Sequence, residues 1–156
     1  MYLKGDKKLI HRWAFYDWAN SVYSLVISTA VFPIYYETVT ATDSGLVNFL
    51  GFEVNNTSLY TYALSLSFLI VAFISPLLSG IADYVGNKRT YMKFFCYFGS
   101  LSVMTLFFFK GVETLWVGIL FSVLASIGFW GSLVFYNAYL PEVAYSDQQD
   151  EASALG

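Results

Sequence analysis

The chain has 156 residues, of which 57% are hydrophobic, 21% aromatic and only 12% charged, with a mean hydropathy of +0.56. Water-facing domains carry roughly 25% charged residues, so this balance argues against a soluble globular surface. The net charge of −3 and the lack of a basic patch exclude nucleic acid as a partner, and the single Cys96 supports neither a disulfide framework nor a metal cluster.

The amino end, Met1 to Arg12, is polar and basic. The apolar run that follows is longer than the roughly 7–15 residues of a signal-peptide core, so it reads as a retained span. A helix needs about 20 apolar residues to cross about 30 Å of hydrocarbon, and four stretches qualify: 14–36, 59–82, 91–109 and 115–138. Strands of a membrane barrel would be about ten residues long with alternating polarity, which these continuous runs do not show. The expected fold class is therefore an all-α membrane protein.

The first span carries Asp17, Asn20, Ser21, Ser24 and Ser28, spaced to share one helical face. A carboxylate inside a span costs on the order of 3 kcal/mol, so it rarely faces lipid. Asp17, Asn20 and Ser24 are thus candidates for a polar stripe lining a water-filled cavity, with Asp17 linked to a proton or a substrate. A second reading stays open. Asp17 lies five residues past Arg12, about 7.5 Å along the axis, and there could reach the interface or pair with a basic loop residue. Pro33 and Pro76 remove backbone donors and permit bends, in membrane helices where prolines are also ordinary.

The loop 37–58 contains the apolar Leu46-Val-Asn-Phe-Leu-Gly-Phe52, too short to cross and expected to form an interfacial or partly packed turn. Asn55 and Asn56 each open a glycosylation-type triplet, a pattern common by chance. Beyond the second span comes Asp83-Tyr-Val-Gly-Asn-Lys-Arg89. Lys88 and Arg89 follow the positive-inside bias, but Asp83 stands against it. A short loop with Gly86 at its turn and an acid ahead of two cations suits a latch that holds one state of a two-state machine. In the fourth span Gly118, Ser122, Ser126, Gly128 and Ser132 have the small-xxx-small spacing of close helix packing.

Seven of the eight Lys and Arg residues fall in the amino-terminal segment or beside the second loop, and only Lys110 lies opposite. The positive-inside rule then puts the amino terminus, the second loop and the carboxyl tail in the cytoplasm. No nucleophile–base or metal-ligand spacing is present, so no enzyme and no cofactor is expected.

The loop residues Ile81, Ala82, Asp83, Gly86 and Lys88 resemble the motif between helices two and three of the major facilitator superfamily, with departures at Ser79, Tyr84 and Asn87. More narrowly, Trp13-Ala-Phe-Tyr-Asp-Trp-Ala-Asn-Ser21, Phe32-Pro-Ile34 and Phe135-Tyr-Asn-Ala-Tyr-Leu-Pro-Glu142 resemble the autophagy-related vacuolar amino-acid effluxer family and its bacterial relatives. Ala152-Ser-Ala-Leu-Gly156 is similar to that family's lead into helix five. The resemblance implies the first four helices of a major facilitator fold and the start of the fifth. It also implies a carboxyl-terminal half as partner, and alternating access for a small solute, with amino-acid efflux as the candidate activity. It marks Tyr136, Asn137 and Glu142 as motif residues, Glu142 fitting a gate or loop contact. The membrane would be the cell membrane in a bacterium and the vacuolar membrane in a fungus, with lipid as the surrounding partner. The competing reading is a non-transporting four-helix assembly or receptor-like subunit.

Overall fold

The computed structural model describes residues 3–85 and 87–156, so Gly86 of the expected latch lies outside the described residues. Four helical segments are long and apolar enough to cross a membrane: Lys7–Thr40, Asn56–Tyr84, Lys88–Phe108 and Val112–Val143. The protein is an integral, multi-pass membrane protein, and its spans extend beyond the apolar runs at most ends. Hydropathy alone marks the hydrocarbon, whereas capping residues decide where a helix stops.

Helix α1 (Lys7–Val22) shows this at its start. Asp6 is its N-cap, and its carboxylate accepts a hydrogen bond from the Lys8 amide at 2.8 Å. The helix therefore begins seven residues ahead of the apolar run. It passes into a π-helical stretch, Tyr23–Val31, and then into α2 (Phe32–Thr40). Pro33 has no amide hydrogen and its ring crowds the carbonyl four residues back, which loosens the turn before it. The Phe32 amide accordingly bonds to the Ile27 carbonyl, five residues away, and the Thr29 hydroxyl bonds to the Ser24 carbonyl at 2.6 Å. Each turn of the stretch holds an extra residue. Ser24 and Ser28 therefore slip around the axis relative to Asp17, and the single face expected from 3.6-residue spacing is not kept.

The loop 46–52 is also more ordered than a turn. Strands β1 (Leu46–Phe49) and β2 (Phe52–Asn55) form an antiparallel hairpin that pairs Val47 with Val54 and Phe49 with Phe52. Its two-residue turn has both residues at positive φ, Leu50 at 54° and Gly51 at 88°. Such turns match the twist of paired strands, and Gly at the second position is the usual choice. Leucine at the first costs roughly 1–2 kcal/mol of backbone strain. The Asn48 side chain accepts from the Gly51 amide at 3.1 Å and steadies the turn.

Helix α3 (Asn56–Val85) starts directly after the hairpin. The asparagines of the two glycosylation-type triplets bond amides there: Asn55 caps the helix by accepting from the Ser58 amide at 3.1 Å, and Asn56 accepts from the next amide, Thr57, at 2.7 Å. Helix α4 (Lys88–Thr105) and helix α5 (Leu115–Val143) complete the spans, and a short α6 (Gln149–Ser153) follows. The residues read as the lead into a fifth helix thus lie in α6 and the turn after it.

The fourth span is the axis of the bundle and buries most of its length. Its glycines explain why. A Cβ on Gly128 would sit 2.5 Å from the Gly99 Cα, and one on Gly118 would sit 3.0 Å from the Phe109 ring. Only the missing side chains let α4 and the Phe109 turn approach so closely. The second span is joined to the fourth by a buried hydrogen bond from the Ser67 hydroxyl to Ser126 at 3.1 Å.

Two apolar clusters close the ends of the bundle. On the hairpin side Tyr36, Val47, Tyr60, Phe109 and Leu115 pack together, and the Tyr36 hydroxyl donates to the Asn56 carbonyl at 3.0 Å. On the amino-terminal side Ile10, Trp13, Ala14, Tyr136, Val143 and Ala152 form the second cluster.

Candidate functional site

Between these clusters the first span leaves a cleft against its neighbours, bridged by the Tyr23–Phe129 ring pair at 5.1 Å. Tyr16, Ala19, Asn20, Tyr23 and Ile27 form one face of the helix and look across a cleft of about 430 Å³. The far walls are Phe95, Cys96 and Gly99 of α4 and Gly128, Phe129 and Ser132 of α5. The lining is mostly apolar with a few polar groups, the composition of small-molecule sites in general.

Two of those polar groups are orphaned. Among the described residues the Tyr16 hydroxyl and the Asn20 side-chain amide nitrogen are buried with no hydrogen bond of good geometry, although Ser132 and Cys96 flank the hydroxyl within reach of a looser one. Leaving such a group unpaired costs about 1–3 kcal/mol, and native proteins carry few of them. Orphans lining a cleft mark a place where a further polar group belongs.

Of the expected stripe Asp17, Asn20 and Ser24, only Asn20 lines the cleft. Asp17 is half-buried one step around the helix, close to Tyr136, and Gly156 packs against it: a Cβ there would be 3.4 Å from the Asp17 Cβ. Among the described residues the Asp17 carboxylate has no hydrogen bond and no ion pair. Ser24 is half-buried within the π-helical stretch.

At the amino-terminal side, residues expected to act separately as latch and gate meet in one clasp. The Lys88 ammonium lies 3.1 Å from the Glu142 carboxylate and donates to the Ala138 carbonyl at 3.0 Å. It ties the start of α4 to the end of α5, with the Lys88 side chain 12% exposed and Glu142 42%. A carbonyl oxygen has two lone pairs, so Ala138, near the end of α5, accepts the ammonium with the second of them. Asp83 and Arg89 of the same loop are exposed, with no partner among the described residues, and Asn137 also points outward.

Tyr136 is buried and stacks on Trp13, with ring centroids 4.2 Å apart and planes 8° from parallel. The Trp13 indole nitrogen also donates to the Tyr136 carbonyl at 3.2 Å, and the Tyr16 ring stacks against Tyr136 as well, at 5.4 Å. Trp13 and Tyr16, both in the motif that carries the family resemblance, therefore hold the first span to the fourth. A single sequence carries no signal for a contact across 123 residues, although the polar hydroxyl of Tyr16, one residue before Asp17, was a visible hint.

Residues 5–155 match the family model described as vacuole effluxer Atg22 like. Among curated proteins the chain is 36% identical to a protein described as an uncharacterized MFS-type transporter, YxiO, of Bacillus subtilis, over 99% of this chain and 34% of that one. It is 31% identical to autophagy-related protein 22-1 of Penicillium rubens over 70% of this chain and 18% of that one. It is 32% identical to autophagy-related protein 22-2 of Aspergillus niger over 65% and 17%. The chain thus spans about a third or less of the length of these relatives. No solved structure matches it.

Proposed function

The chain belongs to the vacuole effluxer Atg22-like family, and from that premise we propose that it is the amino-terminal part of a secondary transporter that moves a small solute by alternating access. The observation that carries the reading is Asp17, a half-buried carboxylate in a membrane span with no ion-pair partner among the described residues. A charge at that depth is expensive unless it faces water, a substrate or a proton path. The orphaned Asn20 amide, about one turn on, and the hydroxyl of the adjacent Tyr16 add hydrogen-bonding capacity.

In this reading Asp17 couples the solute to a proton, Asn20 helps to orient it, and Ser24 lies deeper on the loosened π-helical stretch. The substrate class is amino acids and the direction is efflux, supported by what the fungal relatives are named for. The clasp of Lys88 and Glu142 holds the start of α4 against the end of α5. Asp83 and Arg89 stay exposed to meet the second half of the transporter in one of its states. The amino terminus is cytoplasmic, on the count of seven cations against one.

The test is transport by the full-length protein in liposomes, with labelled amino acids loaded inside and an imposed pH gradient. Efflux should depend on the gradient, and Asp17→Asn should abolish that dependence while the protein still folds. Gradient-dependent efflux that survives in Asp17→Asn would leave the residue a structural role only.

A further inference from the structure

We propose that the β1–β2 hairpin is a membrane anchor, resting the apolar face of its tip in the boundary between headgroups and acyl chains of the leaflet on its own side. Directly paired strand residues share a face, so Val47, Phe49, Phe52 and Val54 form one surface. At its base this surface packs onto the bundle, where Val47 is buried. Toward the tip Phe52 of this surface is uncovered at 73% exposed, and Leu50 of the turn beside it is 80% exposed. The opposite face presents Asn48 and Glu53 to water, although Leu46 also lies on it. The hairpin is amphipathic, and its apolar side continues past the protein that covers its base.

Leu50 sharpens the argument. It occupies a left-handed turn position at φ 54°, where Asn, Asp or Gly would sit without strain. In water the hairpin would carry both backbone strain and an exposed leucine with nothing in return. Insertion of the side chain into lipid offsets both.

The surroundings fit an interface. Val47 packs beside Tyr36, Phe109 and Leu115, whose neighbours are the exposed Trp116 and Lys110, the latter lying 4.1 Å over the Phe107 ring. Exposed aromatic and cationic side chains of this kind collect at headgroup level. The uncovered surface of the hairpin is therefore continuous with the lipid-facing surface of the spans.

The experiment uses the full-length protein in liposomes, with its native cysteines, Cys96 among them, replaced by serine. A polarity-sensitive nitrobenzoxadiazole dye is attached at Leu50→Cys, and at Glu53→Cys as the polar-face reference. A nitroxide on the upper acyl chain should quench the dye at position 50 several-fold more than at position 53, and aqueous iodide should show the reverse order. Equal iodide quenching at both positions would overturn the proposal, and so would a dye at position 50 shielded from both quenchers, because protein would then cover the tip. If Leu50→Cys does not assemble, Phe52→Cys is read in the same way with the same outcomes.

Discussion

The third and fourth spans meet backbone to backbone, whereas the first span meets the fourth through side chains, Trp13 on Tyr136 and Tyr23 on Phe129 among them. Gly99 and Gly128 let α4 and α5 close to the limit of their main chains, and Ser67 and Ser126 fix the second span to the same axis. The first span is held by the Trp13–Tyr136 stack at one end and by Phe32, Tyr36 and Phe109 at the other. Its middle is π-helical, faces the cleft and carries orphaned polar atoms. One part of the molecule is built to stay fixed, and the other keeps the loosely packed, under-satisfied character from which moving and binding elements are drawn.

The largest expected effect falls on the fixed part. Gly128→Ala would put a Cβ 2.5 Å from the Gly99 Cα and 2.6 Å from its nitrogen, main-chain atoms that cannot turn aside. Overpacking of this kind costs about 1–3 kcal/mol, and the rigid neighbour places it at the upper end. Gly99→Ala is the control, because its Cβ would meet Gly128 at an ordinary 3.4 Å. Thermal melts in detergent should therefore separate two substitutions at one contact: a marked loss for Gly128→Ala and a small one for Gly99→Ala. Equal losses would mean that the helices are not in this close register.

The next effect tests how the first span is held. Trp13→Phe keeps an aromatic ring against Tyr136 but removes the indole hydrogen bond to its carbonyl. A buried bond of this type contributes about 1 kcal/mol. The loss should be local, so amide exchange should rise along Lys7–Val22 and stay unchanged at the Gly99–Gly128 contact. Exchange rising equally in both places would show that the first span is as integral as the others.

The contrast also decides what could be read from the residues alone. The four spans were legible because lipid demands long uncharged runs, and the small-residue spacing of the fourth span announced its packing. The hairpin was half-legible: Leu46–Phe52 was visibly too short to cross, but strand pairing needs Val47 to find a cluster built from three other segments. The polar stripe was less legible still. Its 3.6-residue spacing was sound up to Val22, after which the π-helical turn before Pro33 moved Ser24 and Ser28 off the line. Of the expected latch and gate, Lys88 and Glu142 came together although 54 positions apart in the sequence, a pairing fixed by the adjacent ends of α4 and α5. The charges marked the loop, but only the packing of α4 on α5 chose the partner.

The smallest effect concerns that clasp. Glu142→Gln keeps a hydrogen-bond acceptor near Lys88 and removes only the charge. With Glu142 42% exposed, solvent screens the pair, so its loss should cost no more than about 1 kcal/mol. The Lys88 ammonium still has the Ala138 carbonyl at 3.0 Å, which limits the loss further. Asp83→Asn should leave the melting temperature unchanged, because Asp83 has no partner among the described residues to lose. The two substitutions should diverge in cysteine accessibility measured on the full-length protein. If Asp83 meets the second half in one state, Asp83→Asn shifts the balance between the two faces at unaltered stability. Glu142→Gln should lower stability slightly and shift that balance less. A melting loss for Asp83→Asn as large as that for Glu142→Gln would place Asp83 inside the clasp and remove the distinction between a fixed tie and an exposed latch.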